Sequence, residues 1–475
     1  PALKAKGEAE KSPPPKLTVD SKPLVRDGNL PRSFAPVVRK VSDSVVQVFT
    51  SARVQAPQVP GLGLPFEFFF GDPRQMDPNR RRGGLPRQQG IGSGVIVTRD
   101  GYLLTNNHVV DGAEDVKVKL ADGRELPARI VGRDEGTDIA VLRVEADDLA
   151  PATLSDSDKI EVGDVVFAVG NPFAIGQTVT MGIISARGRA TPLGLPYEDF
   201  IQTDAAINPG NSGGALVDAE GRLIGINTAI LSRSGGNQGI GFAIPINMAR
   251  DVLESLVTDG RVSRGYLGVL PQDVTPAIAR KMSLKDNAGA LVAEVTPKGP
   301  AEKAGLESGD VVLEFNGKAV RDARHLRLEV ARTKPGSTVP MKIIREGSNK
   351  TLKVTVRERD EQALARQDGA GRPGRDPGTL NGVAVDDLSR QSRQQWGIPE
   401  RVKGVLVTEV DESSPSWEAG LRPGDVILEI NREPVTTAEE AVALTENPKD
   451  KTTLLKLWRA NQTRFLVVDE SGTGK

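Results

Sequence analysis

The stretch "AEKAGLESGDVVLEFNGKAV" at 301–320 is echoed by "SWEAGLRPGDVILEINREPV" at 416–435. Gly309 matches Gly424 and Gly289 matches Gly404, a constant offset of 115 residues. Self-similarity at one offset is the mark of a duplicated unit, and each copy must bury its own apolar face. The intervening "RERDEQALARQDGAGRPGRDPGTL" is charged and rich in Gly and Pro, the composition of a linker. The duplication therefore divides the C-terminal half into units at 261–357 and 381–475, joined by a linker at 358–380. A chain of 475 residues exceeds what one core can organise, so roughly three domains are expected.

The N-terminal half has a different texture. Residues 1–32 are polar and rich in Pro and Lys, and read as a flexible lead-in. "SFAPVVRKVSDSVVQVFTS" (33–51) spaces Val37, Val38 and Val41 for a short amphipathic helix, with a strand after it. A long loop covers 52–90, in which Phe66, Phe68, Phe69 and Phe70 concentrate apolar surface suited to docking or to a lid. From 91 to 248, short β segments such as "GSGVIVT", "GYLLTN", "DIAVLRV" and "DVVFAVGNP" alternate with Gly, Asn and Asp, the pattern of an all-β barrel or sandwich. "NMARDVLESLVTDG" (247–260) has the helical period and stops at Gly260, as a helix closing the domain would.

Composition excludes several classes. Lys+Arg 62 against Asp+Glu 63 leaves a formal charge of −1, which argues against a nucleic-acid binder. The absence of cysteine removes thiol nucleophiles, thiolate metal sites and disulfides. No apolar run approaches the ~18 residues of a membrane-spanning helix. Beginning at Pro1 rather than Met is the expectation for a chain whose leader has been removed. No Gly-Lys-Ser/Thr phosphate loop occurs, so no nucleotide, metal or other cofactor is expected.

The chemistry concentrates around "INPGNSGGAL" (207–216), where Ser212 stands among Gly210, Gly213 and Gly214. A serine hydroxyl attacks well only when an imidazole takes its proton and a carboxylate fixes that imidazole. The chain has two histidines. His325 lies on an expected helix as a structural residue, whereas His108 sits at a turn after the strand "GYLLTN". "GRDEGTDIAVLRV" offers two carboxylates, Asp134 and Asp138; Asp138 directly precedes an apolar strand, and Asp134 reads as a surface turn residue. Backbone N–H groups of Gly210 and Ser212 suit an oxyanion hole. Gly213 and Gly214 are expected to keep side chains clear of an extended peptide. A histidine base loses activity as it protonates, ordinarily around ~6.5.

In order, "TNNHVV", "TDIAVLRV", "GNPF", "TDAAINPGNSGGAL" and "GIGFAIP", followed by two "AGL…GDV" repeats, resemble the HtrA/DegP family. The resemblance covers nearly all of 33–470. It implies a mainly β fold: a trypsin/chymotrypsin-like double β-barrel (33–260) and two α+β PDZ domains. It makes His108 the general base, Asp138 the orienting acid and Ser212 the nucleophile. Ile207, Leu231 and Ile240 match pocket positions, so that Val, Ala or Ile is expected before the scissile bond. Arg189 matches a regulatory arginine, and activation is expected through ordering of loops at 170–176, 186–199 and 207–211. "GYLGV" implies a carboxylate-binding loop at Tyr266, Leu267, Gly268 and Val269; "LNGVAV" (380–385) departs from it and puts peptide binding by the second copy in doubt. The implied protein is a periplasmic, ATP-independent serine endoprotease acting on unfolded or misfolded proteins and on peptide C-termini, with a homotrimer or larger homo-oligomer. A chaperone cage and a dedicated signalling protease switched by a peptide are the alternatives.

Overall fold

The computed structural model describes residues 13–24, 33–53, 87–171, 176–191, 195–208, 210–230, 238–359, 379–380, 382–445 and 452–470. The loop phenylalanines Phe66, Phe68, Phe69 and Phe70, and Leu231 of the expected pocket, lie outside these residues. The chain separates into two compact units, Pro1–Val262 and Ser263–Lys475.

In the first unit, β1 (Val45–Arg53), β2 (Arg87–Ile96), β3 (Tyr102–Asn106), β4 (Asp115–Lys119), β5 (Glu125–Asp134) and β6 (Ile139–Arg143) close into a barrel. A second closed barrel holds β7 (Val165–Gly170), β8 (Thr178–Arg189), β9 (Phe200–Thr203), β10 (Ala215–Asp218), β11 (Leu223–Ile230) and β12 (Gly241–Pro245). Closure leaves no free sheet edge. Each interior is filled by aliphatic side chains, with Val46, Val48, Leu103, Ala140 and Leu142 in the first barrel and Val166, Ile184, Ile201, Leu216 and Ile224 in the second. These positions are the apolar members of the short β segments in the sequence.

The amphipathic reading of residues 33–51 corresponds to helix α1 (Ala35–Ser42) followed by β1. A four-residue helix, α2 (Asn107–Val110), follows β3. Helix α3 (Ile246–Thr258) buries Ala249, Val252, Leu253 and Leu256 along one face. Its Leu256 packs so closely on Gly132 of β5 that a Cβ there would come within 2.7 Å of a leucine methyl. Residues 13–24, within the expected lead-in, are tied to this unit. Asp20 N–H donates to Leu154 O (2.9 Å), and the Arg222 guanidinium donates to Lys22 O (2.8 Å).

In the second unit the repeat becomes two matching folds. The first copy has a sheet built on β14 (Val269–Asp273), β15 (Ala290–Val295), β16 (Val311–Phe315), β18 (Thr338–Arg345) and β19 (Ser348–Thr355), with β17 (Lys318–Ala319) beside β16. Its entry strand β13 (Gly265–Tyr266) pairs separately with β20 (Arg357–Glu358). The second copy orders β21 (Thr379–Leu380), β22 (Val383–Asp387), β23 (Val405–Val410), β24 (Val426–Ile430), β26 (Thr452–Arg459) and β27 (Gln462–Asp469), with β25 (Glu433–Pro434) beside β24.

The same ion pair recurs in both copies. Arg345 forks onto buried Asp310 (2.7 Å from both Nε and Nη2) and donates to Gly305 O. Arg459 forks onto buried Asp425 and donates to Gly420 O. In both, the facing carboxylate holds the guanidinium above the ordinary arginine range. The copies also pack on each other, sharing a cluster of Ile278, Leu291 and Val311 with Leu454, Phe465 and Val467. Gln272 exchanges two hydrogen bonds with the Phe465 backbone, at 2.7 and 2.8 Å.

Candidate active site

Three segments of different barrels converge on one cluster. β3 ends at Asn106, and α2 then turns the chain so that His108 faces the loop between β5 and β6. Asp138, in that loop, has φ +58, a left-handed backbone that a non-glycine residue adopts at a cost of order 1–3 kcal/mol. The surroundings hold it there: Asp138 O accepts from Asn107 N–H (3.0 Å) and from the Asn106 side-chain amide (3.1 Å). In return its carboxylate accepts from His108 twice. Oδ1 takes the backbone N–H (3.0 Å) and Oδ2 lies 2.8 Å from Nδ1. An ionised carboxylate at this bond favours the tautomer with the proton on Nδ1 and a bare Nε2.

Asp134, the other candidate, is not a surface turn residue. It is buried and accepts from the Thr137 hydroxyl. Its side chain supports the loop that carries Asp138. His325 lies in the helix Ala323–Arg332 and accepts the Arg321 N–H at Nδ1 (3.2 Å), a structural role.

Ser212 precedes β10 and is buried. Its hydroxyl donates to Thr228 O (3.2 Å), and the Thr228 hydroxyl donates to Asp138 Oδ2 (2.7 Å). Thr228, on β11, thus links the serine to the carboxylate. Sequence reasoning missed it, because "GINTAI" reads as an ordinary strand and only the fold brings it to Asp138.

The glycines beside Ser212 serve the backbone. Gly210 has φ +98 and Gly213 φ +82. A Cβ on Gly213 would overlap Ser93 O and Thr105 Oγ1, and one on Gly214 would overlap Val169 O. The expectation that Gly213 and Gly214 clear room for a peptide is therefore corrected: they allow the Ser212 turn to lie directly on β2, β3 and β7. Of the expected pocket residues, Ile207 is fully buried in the second barrel and Ile240 is half-buried just before β12. Gly241 lies directly on Ile207, where a Cβ would come within 2.9 Å of its Cδ1. Arg189, at the end of β8, is exposed and donates to Gln202 Oε1 (3.2 Å).

The first repeat carries a second candidate site. Leu267 O accepts from Ala301 N–H (2.9 Å) and Gly268 O from Thr296 N–H (2.8 Å), while Gly268 has φ +77. Both carbonyls of the "GYLGV" loop are thereby drawn onto the 296–301 turn. Tyr266 reaches the same turn through its hydroxyl to Thr296 (3.3 Å). β14, which leaves this loop, is the end strand of its sheet and lies along the helix Ala323–Arg332. In the second repeat the corresponding strand β22 is not the end strand: its Val383 and Ala384 pair with Leu380 and Thr379 of β21.

No cluster of three or more potential metal ligands occurs among the described residues, and no described helix is long and apolar enough to cross a membrane. A trypsin-like peptidase domain matches residues 92–226, and PDZ domains match 265–356 and 406–459. A probable periplasmic serine endoprotease DegP-like of Pseudomonas fulva is 40% identical over 450 residues, 91% of this chain and 92% of its own length. One of the same description from Chlamydia trachomatis is 40% identical over 454 residues, 92% of this chain and 88% of its own. Among solved structures, an HtrA-type protease AlgW with tripeptide aligns with TM-score 0.56 and 45% identity, covering 69% of this chain and 98% of that one. AlgW with decapeptide aligns at 0.54 and 48%, covering 69% and 99%. Two closed barrels that bring histidine, aspartate and serine together, two PDZ folds after them, and likeness along nine-tenths of the chain lead to one conclusion: this chain belongs to the DegP-like periplasmic serine endoproteases of the HtrA family.

Proposed function

We propose that this endoprotease degrades unfolded or misfolded periplasmic proteins without ATP, cutting after small aliphatic residues, with His108, Asp138 and Ser212 as its catalytic residues. The observation that carries the site assignment is the chain of contacts from His108 through Asp138 and Thr228 to Ser212. Ser212 Oγ attacks the scissile carbonyl as His108 Nε2 takes its proton, and Asp138 stabilises the imidazolium that forms. The N–H groups of Gly210 and Ser212 meet the negative oxygen, a contribution of about 10²–10³ in rate per donor. His108 then gives its proton to the departing amine as the C–N bond breaks, and activates the water that cleaves the acyl-enzyme.

Ile207 and Ile240, with Leu231, are proposed as an apolar pocket whose uncharged walls disfavour Arg and Lys. Arg189 is proposed as the regulatory arginine. The loop Tyr266, Leu267, Gly268 and Val269 is proposed to hold a substrate C-terminus, with the peptide adding as a strand to the edge of β14. Two AlgW structures at 45% and 48% identity contain a tripeptide and a decapeptide, which supports peptide capture in such a chain. Pairing of β22 by Thr379–Leu380 favours the first PDZ over the second as the receptor. A homotrimer is proposed for the assembly, and sedimentation tests it.

Digestion of casein without ATP, read by mass spectrometry, tests this function. Termini after Val, Ala or Ile support it; termini after Arg or Lys, or no cleavage with or without a peptide bearing an apolar C-terminus, contradict it.

A further inference from the structure

The mechanism above leaves the fully buried hydroxyl of Ser93 unused. Ser93, on β2, is 0% exposed, and each of its polar groups is engaged in the active-site wall. Its backbone N–H donates to Ser212 O (2.8 Å), and its carbonyl accepts from the Thr105 hydroxyl (2.7 Å). Its side-chain hydroxyl donates to Gly210 O (2.6 Å) and accepts from Asn171 N–H (2.9 Å).

We propose that Ser93 is a positioning residue for the oxyanion hole, its hydroxyl tying the Gly210 carbonyl, in the peptide plane that lies between those of the Gly210 and Ser212 N–H groups, to the backbone at Asn171. The inference rests on the assignment of Ser212 as nucleophile and of Gly210 as an oxyanion donor. Glycine at φ +98 has no side chain to hold its peptide planes, so something outside the turn must fix them. Asn211 N–H to Asn208 O (3.0 Å) closes the turn from within, and Ser93 anchors it to the first barrel. A hydroxyl has one proton, and here it goes to Gly210; one of its two lone pairs is met by Asn171 N–H. The two bonds polarise each other, so displacement of Asn171 loosens the hold on Gly210. The neighbouring backbones are also in contact, since a Cβ on Gly170 would lie 2.7 Å from Asn211 Cα. An oxyanion hole tolerates little misplacement of its donors, so the effect falls on the transition state and not on the bound peptide.

The test is Ser93→Ala in the full chain with a chromogenic peptide substrate. The expected result is a fall in kcat of about tenfold to a hundredfold with KM within about twofold. Affinity for a peptide aldehyde, whose adduct carries the oxyanion, falls by the same factor. Affinity for the uncleaved peptide, measured in Ser212→Ala with and without Ser93→Ala, stays within about twofold. An unchanged kcat overturns the proposal, as does a loss of uncleaved-peptide affinity equal to the loss in kcat. Should Ser93→Ala not fold, Ser93→Cys, of similar volume with a weaker donor, is read by the same criteria. Ser212→Ala run alone separates the two assignments: if turnover persists there, the site assignment fails, and if it vanishes while Ser93→Ala is normal, only Ser93 fails.

Discussion

At the scale of single residues, the proposed catalytic cluster depends on groups that hold other groups. Thr228→Val keeps the side-chain volume and removes the hydroxyl that Asp138 accepts. We expect kcat about tenfold lower with little change in KM, the worth of one hydrogen bond to a charged group, measured on a peptide substrate. His108 and Ser212 were legible because their surroundings are unusual in sequence: a histidine at a strand end and a serine among glycines. Asp138 could be told from Asp134 only by its place before an apolar strand and by family resemblance, since both are buried. Thr228 and Ser93 carry no local signature. Their roles arise from contacts made across 90 and 117 positions of chain, to Asp138 and Gly210 respectively.

At the scale of elements, the turn that bears Ser212 is held by close backbone packing. Gly213→Ala combines a left-handed φ with overlap on Ser93 and Thr105, and is expected to cost about 3 kcal/mol and to abolish cleavage. Urea unfolding and casein digestion check the two parts. In the PDZ repeats, the Arg345–Asp310 and Arg459–Asp425 pairs play the same part, bracing a glycine turn against the last hairpin. Arg459→Met leaves Asp425 buried without its charge partner, and should lower stability by about 3 kcal/mol in urea unfolding of the second unit. The strands and the repeat offset were legible from periodicity and turn residues. The ion pairs were not, because Arg and Asp lie 35 and 34 positions apart and no spacing rule connects them.

At the scale of the whole molecule, the two PDZ copies are alike in core but unlike at the edge proposed to take a peptide. The first leaves β14 as an end strand beside its helix, and the second pairs the equivalent strand with Thr379–Leu380. Calorimetry with a peptide bearing an apolar C-terminus should therefore give one site per chain, lost in Gly268→Val, because valine is strained at φ +77. The sequence departs at the same place, with "LNGVAV" for "GYLGV", but does not reveal that Thr379 and Leu380 pair with Ala384 and Val383. The packing of the copies through Phe465 and Gln272 was not legible either, since both look like ordinary strand residues. The central claim is that this molecule is a serine endoprotease whose nucleophile is Ser212. The most direct measurement is labelling of the full chain with a fluorophosphonate, followed by peptide mapping. The account predicts one adduct, on Ser212, with loss of casein cleavage in proportion to labelling and no adduct in His108→Ala at the same exposure. An adduct on another residue, or casein cleavage that persists in a fully labelled Ser212 population, would contradict it.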